Sequence, residues 1–369
     1  MHTYPSIDTA RSAAYTVPTD TPEADGTAAW TSTTIVVVRL TCDGVVGTGW
    51  TYGPPGCASL AGKLLDDAVV GADPMGVVDI WQSMVRTARN ATRAGAIGYA
   101  ISAIDVAAWD LKARLLQLPL PDLCGSVRRQ VPVYGSGGFT TYSEAQLTSQ
   151  LAYWTRAQQI PRVKIKIGQD RGTDTDRDRA RIHQARQVIG PDAELYVDAN
   201  GAYSAKQAVR LMRSCAQDDV SWFEEPVSSD NLSGLREVRS LVEADVAAGE
   251  YCTDIGYARR MCAADAVDCL QIDATRVGGY TEWLRCAAVA AAFELEVSGH
   301  CAPNLHAPVA AATPNLRHLE WFHDHVRIES DLFTGALDPT GGSVTPDRAR
   351  AGHGLTFDDD AAARYAVAP

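Results

Sequence analysis

The sequence predicts an α/β chain: a parallel barrel closed on itself, with a smaller α+β domain in front of it. Three observations carry this prediction. Eight short apolar runs recur between residues 131 and 321, with helical stretches between several of them. Three acids, Asp198, Glu224 and Glu250, stand 26 residues apart and each closes such a run. That spacing suits one strand, one helix and two short loops. Finally, chemistry-bearing side chains end seven successive runs. An open doubly wound sheet would gather them at its switch point and carry a Gly-rich phosphate turn after its first strand, which this chain lacks.

The elements follow in order. Residues 34–40 (TIVVVRL) and 44–52 (GVVGTGWTY) read as two strands of a hairpin across TCDG. The clearest helix is 95–116, with apolar positions at helical spacing and charges near its end. Pro119, Pro121 and Gly125 then punctuate the chain. The eight strand candidates are 131–135, 163–168, 194–200, 220–226, 245–250, 268–273, 294–300 and 316–321, and helices are expected at 176–189, 205–216 and 280–293. The tail from about residue 335 is rich in Gly, Pro and Asp and reads as a return segment. The expected division is therefore a capping domain, 1–128 with 336–369, and a catalytic barrel, 129–335.

Composition narrows the partners. A net charge of −12 without a basic patch argues against nucleic acid. The longest apolar stretch, around Ala287 to Phe293, is too short and too polar to span a bilayer. The N-terminal segment lacks the apolar core of a signal peptide, so a cytoplasmic location is expected. Nine scattered cysteines form no close pairs and read as small, reduced, buried hydrophobes.

Parallel strands would bring Asp198, Glu224 and Glu250 to one edge of the sheet, and three hard oxygen donors suit a hard divalent cation. A metal-dependent enzyme is the leading reading. Around the acids, Lys164 and Lys166 alternate toward one face of their strand, while Asp273, His300 and Glu320 end later ones. Asn200 and Glu225 adjoin the ligand candidates and read as supporting or substrate-binding groups. The pair His323-x-His325 lacks further ligands, and His306 and His318 read as packed or surface residues.

The motifs VKIKIG, VDANG, FEEP, AGE, QIDATRVGG, SGH and HLE, in this order at barrel spacing, resemble the enolase superfamily, in its mandelate racemase subgroup. The helix AISAIDVAAWDLKAR (100–114) is similar to that family's capping helix. The resemblance implies a modified TIM barrel of (β/α)7β type with one Mg²⁺ per subunit, bound by Asp198, Glu224 and Glu250. It makes Lys166 the base, with Lys164 contacting the substrate carboxylate and depressing its neighbour's pKa. It makes Asp273 and His300 an acid–base dyad, and Glu320 a hydrogen-bonding partner of the substrate carboxylate, protonated if its site raises its pKa. An aspartate at position 273, where muconate cycloisomerase-like relatives usually have lysine, points to the racemase and dehydratase branch. The implied reaction starts by removing the proton α to a carboxylate. Dehydration of an acid sugar to a 2-keto-3-deoxy acid comes first, and racemisation or epimerisation of a 2-hydroxy acid second. A non-catalytic binding protein is the remote alternative, disfavoured because every site position is filled. The implied partners are a small carboxylate substrate and further copies of the chain. Substrate choice falls to capping loops expected at 18–30 and 51–59, where Trp30 and Tyr52 offer apolar walls and Thr19, Asp20, Asp25 and Thr27 offer hydrogen bonds.

Overall fold

The computed structural model describes residues 5–367; residues 1–4 and 368–369, the two ends of the expected capping unit, lie outside it. The chain opens with an antiparallel sheet of β1 (Thr9–Ala24), β2 (Ala29–Cys42) and β3 (Val45–Tyr52), in that order. The predicted hairpin is β2–β3, closed by Asp43 and Gly44, both at positive φ, as a two-residue turn matched to strand twist requires. Strand β1 was not expected. Its Thr- and Ala-rich alternation is weak in the sequence, and it occupies an edge where Pro18 is tolerated at a break in register before Glu23. The loop expected at 18–30 is therefore mostly strand, and only residues 25–28 form the turn.

Helices α1 (Gly56–Ala68), α2 (Val77–Thr87) and α3 (Ala96–Leu115) cover one face of this sheet. The segment expected as a loop at 51–59 is the end of β3 and the start of α1, with only residues 53–55 between. Helix α3 lies against β3 at glycine positions. A Cβ on Gly49 would stand 2.3 Å from the carbonyl oxygen of Ala103, so only glycine permits this approach. A short turn, α4 (Leu120–Leu123), leads to the barrel.

The barrel follows the predicted strands closely: β4 (Val131–Gly137), β5 (Arg162–Lys166), β6 (Glu194–Asp198), β7 (Val220–Glu224), β8 (Asp245–Ala248), β9 (Cys269–Ile272), β10 (Glu296–Gly299) and β11 (Leu316–Phe322). All neighbours pair in parallel, and β11 pairs with β4 to close the ring. Between the strands run α5 (Glu144–Ala152), the single turn α6 (Gln169–Gly172), α7 (Thr175–Ile189), α8 (Ala205–Ser214), α9 (Leu232–Arg239), α10 (Ile255–Ala263), α11 (Gly279–Ala292) and α12 (Pro303–Ala311). Side-chain caps start several of them. Ser143 closes a capping box on α5, and Asp174, Asn231 and Asp254 accept backbone N–H groups at α7, α9 and α10.

After β11 come α13 (His323–Leu332), β12 (Phe333–Thr334), β13 (Ser343–Val344), β14 (Thr356–Phe357) and α14 (Asp359–Ala363). This return segment touches both halves of the molecule. Strand β13 pairs with β4, while Asp359 receives two hydrogen bonds from Arg39 on β2. Inside the barrel, Tyr134, Tyr196, Trp222 and Cys269 form a buried layer, joined by His318 against the aromatic rings. Burial, with Arg317 nearby, holds the His318 imidazole well below its ordinary range, so it is a neutral packing group. All nine cysteines are free, and eight are buried. No described helix is long and apolar enough to cross a membrane.

Candidate active site

Parallel register assembles the centre. Lys166 on β5 lies opposite Asp198 on β6, which lies opposite Glu224 on β7. Alternation turns all three into the barrel mouth, above the aromatic layer. Glu250 follows β8 after Gly249, whose φ of 132° and whose approach to the Gln271 carbonyl (a Cβ would stand 2.3 Å away) admit only glycine. Oxygens of Asp198, Glu224 and Glu250 lie within 4.8 Å of one another, and all three residues are buried. The Glu250 Oε2 atom is buried without a hydrogen-bond partner. Burial and the adjacent Asp198 push Glu224 well above the usual carboxylate range, the mark of anions crowded at one place. Convergent, buried, partly unsatisfied carboxylate oxygens fit a hard divalent cation.

Lysines meet this row from below and from one end. Lys164 is fully buried and reaches Glu224 at 2.5 Å, Glu320 at 2.8 Å and Asp198 at 3.5 Å. Lys166 pairs with Asp198. Burial opposes both charges, but the carboxylates outweigh it and hold both ammonium groups above the ordinary lysine range. The depression expected at Lys166 from its neighbour is thus present but overruled, because Asp198 is closer and opposite in sign.

The other end of the row belongs to His300. Its Nε2 stands 3.5 Å from Glu250, while Nδ1 meets Asp273 Oδ2 at 2.8 Å. Asp273 Oδ1 accepts the Thr275 N–H and hydroxyl, both at 2.7 Å. Burial raises the Asp273 carboxyl, but hydrogen bonds from His300 and His306 and the charge of Arg276 carry it well below the usual range. Glu320 accepts from Ser136 Oγ at 2.6 Å and from the Cys301 N–H at 2.8 Å. Lys164 and His300 overcome its burial and keep it well below the carboxylate range, so the protonated form expected of Glu320 is not the one this site favours.

The remaining predicted residues lie around this centre. The Asn200 N–H caps Asp198 Oδ1 at 2.9 Å, and Glu225 is buried beside Glu224. Trp30 donates to Glu23 at 2.8 Å and packs edge-on against Phe139. Tyr52 is buried, with its ring stacked on His325 at 3.4 Å and its hydroxyl on Glu329, so it supports the barrel from beneath the cap instead of facing open space. His323 bonds Asp20, and His325 accepts the Ala302 N–H, so the two histidines serve different neighbours. Backbone strain gathers here as well: Asn200, Glu225, Cys301 and Ala302 all have positive φ.

Sequence reasoning missed four participants. Arg276 binds Glu250 at 3.2 Å and Asp273 at 3.4 Å, bridging the acid row and the dyad. Gln271 and Trp222 donate to Glu224 Oε2 at 3.1 and 3.0 Å. The Cys301 thiol lies 3.3 Å from His300 Nε2. Arg276 and Gln271 were legible in principle, since both sit in the QIDATRVGG segment on either side of Asp273.

Two family models match the chain: the mandelate racemase/muconate lactonizing enzyme N-terminal domain over residues 11–125, and the enolase C-terminal domain-like model over 146–361. The chain belongs to this family. A mandelate racemase/muconate lactonizing enzyme-like protein from Rubrobacter xylanophilus superposes with a TM-score of 0.95 at 43% identity, covering 98% of this chain and 100% of that one. L-talarate/galactarate dehydratase from Salmonella typhimurium LT2, solved with Mg and L-lyxarohydroxamate, gives 0.91 at 28% identity, over 99% and 94% of the two chains. The 3,6-anhydro-alpha-L-galactonate cycloisomerase of Streptomyces coelicolor is 31% identical over 98% of this chain and 99% of its own length. Activities among the relatives of this enolase-superfamily chain span acid-sugar dehydration, cycloisomerisation and dipeptide epimerisation.

Proposed function

We propose that this chain removes water from an acid sugar to give a 2-keto-3-deoxy acid, using Mg²⁺. The observation that carries the reading is the placement of two different proton-transfer groups at opposite ends of one carboxylate row, Lys166 beside Asp198 and His300 beside Glu250. Asp198, Glu224 and Glu250 would hold the ion. Bound there, Mg²⁺ would offset the negative charge that now holds Lys166 protonated and the charge that grows on the substrate carboxylate. Lys166 Nζ takes the α-proton, breaking the α-carbon–hydrogen bond. Lys164 lies where a second carboxylate-binding cation is needed as the enediolate forms, and Ser136 and the Cys301 N–H keep Glu320 in place beside it. His300 Nε2 gives its proton to the β-hydroxyl, that carbon–oxygen bond breaks, and the enol relaxes to the 2-keto acid. Asp273 orients the imidazole and stabilises its cationic form.

The division of labour we propose leaves chemistry to residues 129–335 and substrate enclosure to 1–128 with 336–369. Racemisation of a 2-hydroxy acid would use the same two groups, with His300 returning a proton to the α-carbon. A panel of acid sugars, assayed for 2-keto acid in the presence and absence of Mg²⁺, tests the reading. Keto acid that appears only with Mg²⁺ supports it. Loss of optical rotation without keto acid selects the racemase.

A further inference from the structure

Beside the carboxylate row, the C-terminal face of the barrel opens into a cleft of about 740 Å³. The β1–β2 turn, the start of α3 and the loops after β5 through β9 enclose it. It borders the centre directly, because Asn200, Glu225 and Arg276 belong to its lining and adjoin or bind the acids.

Charge pairing distinguishes this cleft. Arg276 binds both Glu250 and Asp273, and nearby Arg93 binds both Asp254 and Glu282. Arg171 and Arg260, both exposed, also line the cleft; Arg260 lies over the Tyr257 ring, and among the described residues neither guanidinium has a carboxylate partner, although Glu225 and Asp230 line the same cleft. Two guanidiniums without carboxylate partners on one cleft, in a chain of net charge −12, are free to take an anion from outside. Arg171 is set there by its backbone. Asp170 and Arg171 both adopt left-handed conformations, and the Arg171 N–H donates to the Gly26 carbonyl in the β1–β2 turn at 2.9 Å. The lining supplies orphaned polar atoms too. Asn200 Oδ1, Glu225 Oε1 and Tyr257 Oη are buried without hydrogen-bond partners, and Glu225 is only 2% exposed.

We propose that this cleft is a subsite for the far end of the substrate, and that the far end is anionic. The ligand is a polyhydroxy acid carrying a second carboxylate or a phosphate ester. Arg171 and Arg260 hold that second anion, and the intervening hydroxyls satisfy the orphaned atoms of the lining. The inference rests on the acid-sugar reading above and narrows its substrate class.

Affinities of galactarate, galactonate and 6-phosphogluconate are compared by calorimetry on Mg²⁺-loaded Lys166→Met protein, which stops turnover, and by KM on the otherwise unmodified enzyme. A second anion should tighten binding at least about tenfold. Arg171→Ala and Arg260→Ala should each erase most of that ratio, with Arg171→Lys retaining part of it. The larger ratio, galactarate or phosphogluconate, identifies the second anion. Equal affinity for mono- and dianions overturns the inference, and so does a ratio that survives both alanine variants. Tight dianion binding with no keto acid and no α-deuterium exchange would sink the dehydratase reading while leaving the subsite standing. Turnover of aldonates alone would do the reverse.

Discussion

Replacing Asp273 by Asn keeps the side-chain volume and removes the charge, and the surrounding hydrogen bonds dictate how the amide must sit. Thr275 donates both its N–H and its hydroxyl to Asp273 Oδ1 at 2.7 Å, so the amide oxygen has to take that side. The amide NH₂ then faces His300 Nδ1 across the 2.8 Å contact. Two donors cannot share it, so Nδ1 must present its lone pair and the single ring proton moves to Nε2. A further proton has no place to go, and the imidazolium that would protonate a leaving hydroxyl is lost. A positioned general acid is worth about 10²–10⁴ in rate, and kcat for keto acid formation should fall by about that factor. Lys166 is untouched and lies at the other end of the row, so exchange of the substrate α-proton with D₂O should persist. The assay pairs keto acid kinetics with NMR of α-deuterium uptake, and a melting curve guards against misfolding. A drop in kcat of less than about tenfold would refute the role given to the dyad. Equal loss of exchange and dehydration would refute the assignment of the two steps to two different groups.

Lys166→Met should abolish both α-exchange and turnover while leaving Mg²⁺ binding measurable by calorimetry; residual exchange would remove Lys166 as the base. Magnesium at a hundred times its dissociation constant should stabilise the fold by about 2.7 kcal/mol, or about 3–4 °C in Tm, and Glu250→Gln should shrink that shift. Identical melting with Mg²⁺ and with chelator would argue against a cation on these acids. Gly249→Ala places a Cβ 2.3 Å from the Gln271 carbonyl and should displace Glu250, weakening Mg²⁺ affinity about 10-fold or more. Unchanged affinity on titration would show that the Glu250 position does not matter. Glu23, buried on β1 near Asp324 and Asp20, is pushed up to about 8, by burial first and by those anions second. Its folded-state pKa lies above its unfolded one. The stability it contributes is complete below about 4.5 and is lost as pH climbs through about 8. Glu23→Gln should therefore blunt the loss of Tm between about pH 4.5 and 8, and an unaltered Tm–pH curve would remove Glu23 as its cause.

Legibility of the sequence tracked how local the determining physics is. Each barrel strand is a short, doubly buried run, so period and spacing reveal it, and the acids at 198, 224 and 250 inherit their convergence from that regularity. Strand β1 escaped because an edge strand need not be apolar; its pairing with β2, not its own residues, makes it a strand. The same reason turned two expected loops into strand and helix ends. At the site, the charged residues that close each run were visible, while Trp222 and Gln271 inside β7 and β9 and the residues further along the turns were not. Arg276 and Cys301 sit on irregular backbone after β9 and β10, and only the folded positions of Glu250, Asp273 and His300 give them partners. Tyr52 shows the converse error. An aromatic at the end of a strand looked like a wall of an open pocket, but α13 brings His325 and Glu329 over it.

The state of the lysines was misjudged for a related reason, and its resolution bears on the chemistry. Reasoning from Lys164 and Lys166 alone counts two cations and predicts mutual depression. The folded centre adds four carboxylates, Asp198, Glu224, Glu250 and Glu320, against those two ammonium groups. Acids outnumber lysines at this centre, and a divalent ion would offset that excess. With that charge supplied at Asp198, Glu224 and Glu250, the attraction holding the Lys166 proton would weaken, and burial and the neighbouring ammonium, both of which favour the neutral amine, would be opposed chiefly by Glu320. Lys164 keeps a direct partner in Glu320, which Lys164 and His300 hold in its ionised form and Ser136 and the Cys301 N–H hold in place. On the proposed reading one lysine would stay a cation and the other would become the base, although both lie on the same strand two residues apart. What separates them is which carboxylate each one faces.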